Sequence, residues 1–286
     1  MDLWVSDYHN DGVKFSVRVD KQLVHEQTDY QQIDIFQSKE LGQILVLDGQ
    51  LLTTDKDEFF YSEMMVHVAM ATIPPVKKVL VIGGCDGGVL KELQKYDQIT
   101  QIDVVELDQR VVEICQENLS FANQSFCDSR VNLYVQDGLR YVRVTKEIYD
   151  LIIVDSANPF GINENHFTYE FYGNCFNILS EQGILITQQS NGFYTEDTEA
   201  MQYVQDKLAK VFSVNEVYQT VLPSYVAGHM LLGFSSKGIH PLTDRDDTWD
   251  EKGISTKYYN SKIHEHAFSL PTYLNELIGT KEDIQV

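Results

Sequence analysis

The sequence predicts an α/β fold, a mainly parallel, doubly wound sheet with a small antiparallel β-domain in front of it. Three observations predict it. Short alternating strands fill residues 1 to about 58, apolar runs alternate with helical stretches from residue 78 onward, and no long glycine–serine linker parts the two regions. At 286 residues the chain can bury one sizeable core with a small appendage. Domains are expected over 1–58 and 59–286, packed closely.

In the first part, Val13–Val19 alternates apolar and polar residues, as do residues 32–36, and residues 44–47 run into the turn Asp48-Gly49. One small antiparallel sheet is the expected outcome. Residues 58–68 then carry apolar side chains at helical spacing, and Pro74-Pro75 is expected to stop that helix. Residues 78–82 are continuously apolar, which predicts a strand buried on both faces. It ends in Gly83-Gly84-Cys85-Asp86-Gly87-Gly88, and a helix begins near Val89. Further strands are predicted over 101–106, 131–135, 149–154 and 183–187, with helices near 109–118 and 196–212. This order implies parallel pairing with helices on both faces.

Composition narrows the function. Apolar residues make up 43% and aromatics 11%, ordinary for a soluble globular protein. No apolar run approaches the roughly 20 residues of a membrane span. The first residues lack a basic segment followed by an apolar one, so no signal peptide is expected. Cys85, Cys115, Cys127 and Cys175 show neither Cys-x-x-Cys pairing nor metal-ligand spacing, which predicts reduced thiols in a cytoplasmic protein. His166, His229, His264 and His266 lack ligand partners at useful spacing and read as structural, so no metal is expected. Forty-three acidic against 22 basic residues leave a net charge of −21, which argues against nucleic acid or an anionic membrane as partner. The charge permits a polycationic substrate, although solubility alone accounts for it more simply.

The chemistry concentrates at the strand ends, where open α/β sheets bind ligands. Asp86, Glu106 with Asp108, Asp137 and Asp155 follow successive strands. Helix capping explains any one of them but strains to explain the set. The glycine loop matches a dinucleotide fingerprint incompletely, since Cys85 and Asp86 interrupt it. Asp86 at a helix N-terminus would repel a pyrophosphate. Glu106 stands where ribose hydroxyls are gripped in such folds. Together these point to a nucleoside carrying an amine rather than a phosphate. No Lys or Arg lies in the loop to receive a ligand carboxylate, although backbone donors remain available.

These residues resemble the spermidine synthases, the polyamine aminopropyltransferases, over nearly the whole chain. The resemblance runs through Trp4, Tyr30-Gln31, Leu47-Asp48-Gly49, Asp57-Glu58-Phe59 with Tyr61 and Glu63, and the glycine loop. It continues through Val105-Glu106-Leu107-Asp108, Gln136-Asp137-Gly138, Asp155-Ser156 with Pro159, Pro223-Ser224-Tyr225 with Gly228, and Lys257-Tyr258-Tyr259-Asn260 onward to Pro271. It implies a Rossmann-like, methyltransferase-type domain behind an N-terminal β-domain, and a homodimer or homotetramer with the N-terminal sheet as an interface. The implied reaction moves an aminopropyl group from decarboxylated S-adenosylmethionine, a co-substrate with no further cofactor, to putrescine or a similar diamine. By the same resemblance Gln31, Asp86, Glu106, Asp137 and Gly138 bind the donor. Asp155 is the base, and Trp4, Tyr61, Asn158 and Tyr225 bind the acceptor.

The departures from the family pattern fall at the site. Cys85 replaces a third glycine, Ser62 a His or Gln, Asn158 a second acid three residues after the base, and Val226 a proline; Gly161-Ile162 stands for Gly-Pro. Loss of the Asn158 charge is expected to weaken a cationic acceptor's binding by about 1–3 kcal/mol. Three readings stay open on sequence: a spermidine-forming enzyme of altered efficiency, an enzyme for another amine or for a donor that keeps its carboxylate, or a polyamine-binding homologue. A Rossmann methyltransferase is the alternative outside the family, disfavoured by the acidic loop and the β-domain.

Overall fold

The computed structural model describes residues 2–72, 75–156 and 167–279. Six strands open the chain: β1 (Leu3–Asn10), β2 (Val13–Val19), β3 (Lys21–Gln27), β4 (Gln32–Ser38), β5 (Gly42–Leu47) and β6 (Gln50–Thr54). They form two antiparallel sheets rather than the single one expected, a β1–β2 hairpin and a β3–β4–β5–β6 meander. The reason lies in β5, whose apolar run is buried on both sides. Ile44 and Val46 pack with Val17 and Val19 of β2, while Leu45 turns to the opposite face with Ile33 and Ile35. The hairpin therefore lies over the meander instead of extending it.

The larger part follows as α1 (Glu58–Met70), β7 (Lys78–Gly83), α2 (Gly88–Leu93), β8 (Gln101–Glu106), α3 (Gln109–Asn118), α4 (Ala122–Phe126), β9 (Val131–Val135), α5 (Gly138–Val144), β10 (Tyr149–Asp155), α6 (Tyr169–Ile178), β11 (Leu179–Gln188), α7 (Thr195–Val211), β12 (Val214–Val221), β13 (His229–Ser236), α8 (Ser261–Ala267) and α9 (Thr272–Ile278). The sheet order is β12-β13-β11-β10-β7-β8-β9. Strands β7 to β11 run parallel, and the antiparallel pair β12–β13, absent from the sequence reading, extends the edge beyond β11. From β7 the chain winds outward through β8 and β9, then crosses to β10 and β11 on the other side. The switch point falls between β7 and β10, where a crevice opens beyond the strand ends.

Strand β7 is the centre of the core. Its period of two sends Val79 and Val81 to the face covered by α1 and α2, and Leu80 and Ile82 to the face covered by α5 and α6. Helix α1 is enclosed on every side, polar residues included. Glu63 accepts the backbone N–H groups of Lys257, Tyr258 and Tyr259, each at 2.8 Å. His67 sits between the Tyr96 hydroxyl (2.7 Å) and Glu92 (2.8 Å). The helix ends at Met70, short of the prolines expected to stop it. Thr72 closes its last turn by donating through Oγ1 to the Val68 carbonyl at 2.8 Å.

The β-domain is held to the sheet domain by polar contacts at α3. Asp108 caps α3 through the Arg110 N–H (3.0 Å), and its other oxygen accepts Thr28 Oγ1 (2.7 Å) and Gln31 Nε2 (3.1 Å). Arg110 forks onto both carboxylate oxygens of Glu26, at 2.7 and 3.0 Å. Beside these, Ile33, Ile35 and Leu45 pack on Val111, Ile114 and Cys115. The meander thereby roofs the crevice. A domain boundary after residue 58 falls just inside α1, whose first residue is Glu58.

Candidate active site

The ends of β7 and β10 meet through backbone alone. Gly83 pairs with Asp155, and the Gly84 N–H donates to the Asp155 carbonyl at 3.2 Å. Gly83 and Gly84 have φ of +83° and +75°, and a Cβ on Gly83 would collide with that carbonyl. The tight turn brings Cys85 and Asp86 beneath the Asp155 carboxylate.

Two cavities open on this point. One of about 680 Å³ lies between the glycine loop, Glu106–Asp108 and Gln136–Gly138, with Gln31 and Leu47 of the β-domain above it. The other, of about 500 Å³, is walled by Asp57, Glu58, Tyr61, Asp86, Gln188, Ser224 and Tyr225. Leu52, Gly84, Cys85 and Asp155 line both. Asp155 therefore stands where the two cavities join. Among the described residues neither lining contains a Lys, Arg or His, while Asp57, Glu58, Asp86, Glu106, Asp108, Asp137 and Asp155 all contribute. A space walled in this way suits a cationic ligand.

Each carboxylate has a distinct setting. Asp86 accepts the Gly88 N–H at 3.0 Å, and burial raises its pKa against that bond. Glu106 Oε1 accepts the N–H groups of Leu107 (2.8 Å) and Asp108 (3.1 Å). Burial outweighs both and pushes Glu106 up to about 7. Asp155 Oδ1 accepts the Tyr61 hydroxyl at 2.8 Å. Burial, then the charges of Asp86 and Glu106, raise Asp155 to about 7, the Tyr61 bond opposing them. Asp137 caps α5 through the Arg140 N–H at 2.7 Å. Capping and cavity lining thus coincide at Asp108 and Asp137.

Of the residues singled out on sequence, Gln31, Asp86, Glu106, Asp137, Gly138, Asp155, Tyr61 and Tyr225 are brought together around the joined cavities. Gln31 reaches the rim through its bond to Asp108, and Tyr225 is anchored by donating to the Leu52 carbonyl at 3.0 Å. Trp4 is not brought there. It lies on β1 with 57% of its surface exposed and lines neither cavity, because the hairpin turns it to the outside. Asn158 lies outside the described residues. Cys85 is buried against both cavities, its thiol held protonated by the adjoining Cys115 and by burial. The sequence reading missed Glu58 and Gln188. Gln188 Oε1 is 3.1 Å from the Tyr61 hydroxyl, and as the last residue of β11 it obeys the strand-end rule that found the acids.

Comparison with known proteins accords with this site. A family described as the spermine/spermidine synthase domain matches residues 58–247, and one described as the spermidine synthase tetramerisation domain matches residues 3–55. A polyamine aminopropyltransferase of Clostridium beijerinckii is 45% identical over 99% of this chain and all of its own length. One of Clostridium perfringens is 46% identical with the same coverage. A solved spermidine synthase in complex with the transition-state analogue AdoDATO superposes with a TM-score of 0.93 at 35% identity, covering 96% of this chain and 94% of that one. The spermidine synthase from Thermotoga maritima gives 0.92 at 34% identity with the same coverage. The fold is the Rossmann-like, methyltransferase-type arrangement with an N-terminal β-domain, and the chain is a group-transfer enzyme. The chain belongs to the spermine/spermidine synthase family of polyamine aminopropyltransferases. No helix among the described residues is long and apolar enough to cross a membrane.

Proposed function

We propose that this enzyme transfers an aminopropyl group from decarboxylated S-adenosylmethionine to putrescine, giving spermidine and methylthioadenosine. The observation that carries the reading is the junction of two acid-walled cavities at one half-buried carboxylate, Asp155. The larger cavity takes the donor nucleoside, with Glu106 accepting the ribose hydroxyls and Gln136, Asp137 and Gly138 at the adenine. Gln31 closes the donor from above, and the donor's aminopropyl arm passes the junction into the smaller cavity, where Asp86 takes its amine. The smaller cavity takes the diamine, whose alkyl chain lies against Tyr61 and Tyr225 through cation–π and apolar contact. Asn158 is assigned to the acceptor by the resemblance alone.

The sulfonium is already a good leaving group, so the departing thioether needs no acid. The harder task is deprotonating the nucleophile, an ammonium with a pKa near 10. An ordinary aspartate would face a gap of about six units, roughly 8 kcal/mol. Asp155 at about 7 halves that gap. The amine nitrogen forms a bond to the propyl carbon as the carbon–sulfur bond breaks, and one proton passes to Asp155. Tyr61, bonded to Asp155, fixes the carboxylate in line with that proton. Alignment of nucleophile and sulfonium across the junction supplies the remainder, for which positioning contributes up to roughly 7–11 kcal/mol.

A donor-and-amine panel tests the assignment. Purified protein with putrescine and decarboxylated donor is expected to yield methylthioadenosine and spermidine in equal amounts. Turnover only with intact S-adenosylmethionine, or a clear preference for another amine, would contradict it. The site acts in a homodimer or homotetramer assembled through the N-terminal strands, a reading supported by the tetramerisation-domain match over residues 3–55. The exposure of Leu3, Trp4 and Tyr8 on β1 supports the same reading.

A further inference from the structure

We propose that Glu58 is a second carboxylate for the donor's primary ammonium, facing Asp86 across Gly88, and that the pair selects an amine-bearing nucleoside over one without the amine. The inference rests on the donor assignment above. Glu58 opens α1, is 6% exposed, and lines the same cavity as Asp86, Tyr61 and Asp155. Its two oxygens have unequal surroundings. Oε1 accepts Lys91 Nζ, which reaches it from α2 on the side of an outer groove. Oε2 is buried and has no hydrogen-bond partner.

A point built where a Gly88 Cβ would stand lies 3.5 Å from Glu58 Oε2 and 3.5 Å from Asp86 Oδ1. The two oxygens are thus at most twice that distance apart. The short side chain of Ser62 packs against Gly88 beside them. Burial raises the pKa of both carboxylates, and the Asp86 charge adds to the effect on Glu58. Lys91 also lies 3.5 Å from Glu92, so its one positive charge does not neutralise Glu58 and Asp86, and the pair keeps an unmatched charge and an unmet acceptor. A primary ammonium carries three N–H donors and one positive charge, which meets both needs at once. A buried salt bridge that merely fastened α1 to α2 would use Oε1 and leave Oε2 without purpose.

The test compares binding of decarboxylated S-adenosylmethionine and of methylthioadenosine, which lacks the aminopropyl amine, to wild type and to Glu58→Gln. The variant is expected to lose about 10- to 100-fold in affinity for the amine-bearing donor, the effect of removing one charge-assisted bond. Its affinity for methylthioadenosine is expected to change by less than about threefold, which also certifies that the site has folded. Equal losses for both ligands would mean that Glu58 only holds the helices, and unchanged affinity for both would mean that it faces no ligand. Either result overturns the inference while leaving the donor assignment intact. Wild-type protein that fails to prefer the amine-bearing ligand would remove the assignment and this inference together.

Discussion

Asp86, Glu106 and Asp155 are half-buried carboxylates that pay in pKa for a place where a cation will sit. Ligand-free Asp155 and Glu106, both raised to about 7, must ionise before a cationic donor is held and an amine deprotonated. kcat/KM for the donor, which reports the free enzyme, is therefore expected to rise through the window about 6 to 8. Two groups titrating together make the acid limb steeper than a single ionisation. A profile flat between pH 5 and 8 would contradict this. These acids were legible in the sequence because each ends or closely follows an apolar strand run, where a charge is conspicuous. Gln188 ends its strand without a charge and went unnoticed. Glu58 stood inside a quoted motif but carried no assigned chemistry, since sequence does not tell which way a residue at a helix start points. Trp4 stands away from both cavities for a related reason: the outer and inner faces of a hairpin read alike until its partner sheet is known.

At the scale of elements, the site depends on how the β-domain is pinned to α3. Asp108 serves three partners, the α3 backbone, Thr28 and Gln31, so Asp108→Ala removes a helix cap and both anchors of the segment above the larger cavity. The loss is expected to be about 1–3 kcal/mol of stability, read by denaturant unfolding, together with weaker donor binding. A variant as stable and as tight-binding as wild type would show the anchors to be incidental. The parallel core was legible over β7, β8, β9 and α3, whose observed bounds lie at or within a residue of those expected, because apolar runs and helical periods there have no competing pattern. The strands missed have weaker signals. β12 mixes polar residues into its run, β3 is mostly exposed, β1 is nowhere buried, and β6 is a short partner whose pairing depends on β5. The division into two N-terminal sheets was likewise unreadable, since it follows from β5 being covered on both sides.

For the whole molecule, the raised carboxylates set stability against function. A carboxylate whose folded pKa lies above its unfolded value contributes stability below the unfolded value, near 4, and loses it as pH rises through the folded one. For Asp155 and Glu106 that window runs from about 4 to about 7. The ligand-free protein is expected to be less stable at pH 8 than at pH 5.5 on their account. The cationic donor should raise the Tm more at pH 8, where it meets ionised partners; a donor-induced shift equal at both pH values would contradict this. Catalysis by the assembled site then comes down to the carboxylate at the junction. The most direct measurement is methylthioadenosine formation by Asp155→Asn with saturating donor and putrescine, alongside its affinity for methylthioadenosine. The account predicts a fall in kcat of about 10²- to 10⁴-fold with nucleoside affinity changed by less than about threefold. Undiminished turnover in that variant would contradict Asp155 as the base and, with it, the reading of the joined cavities.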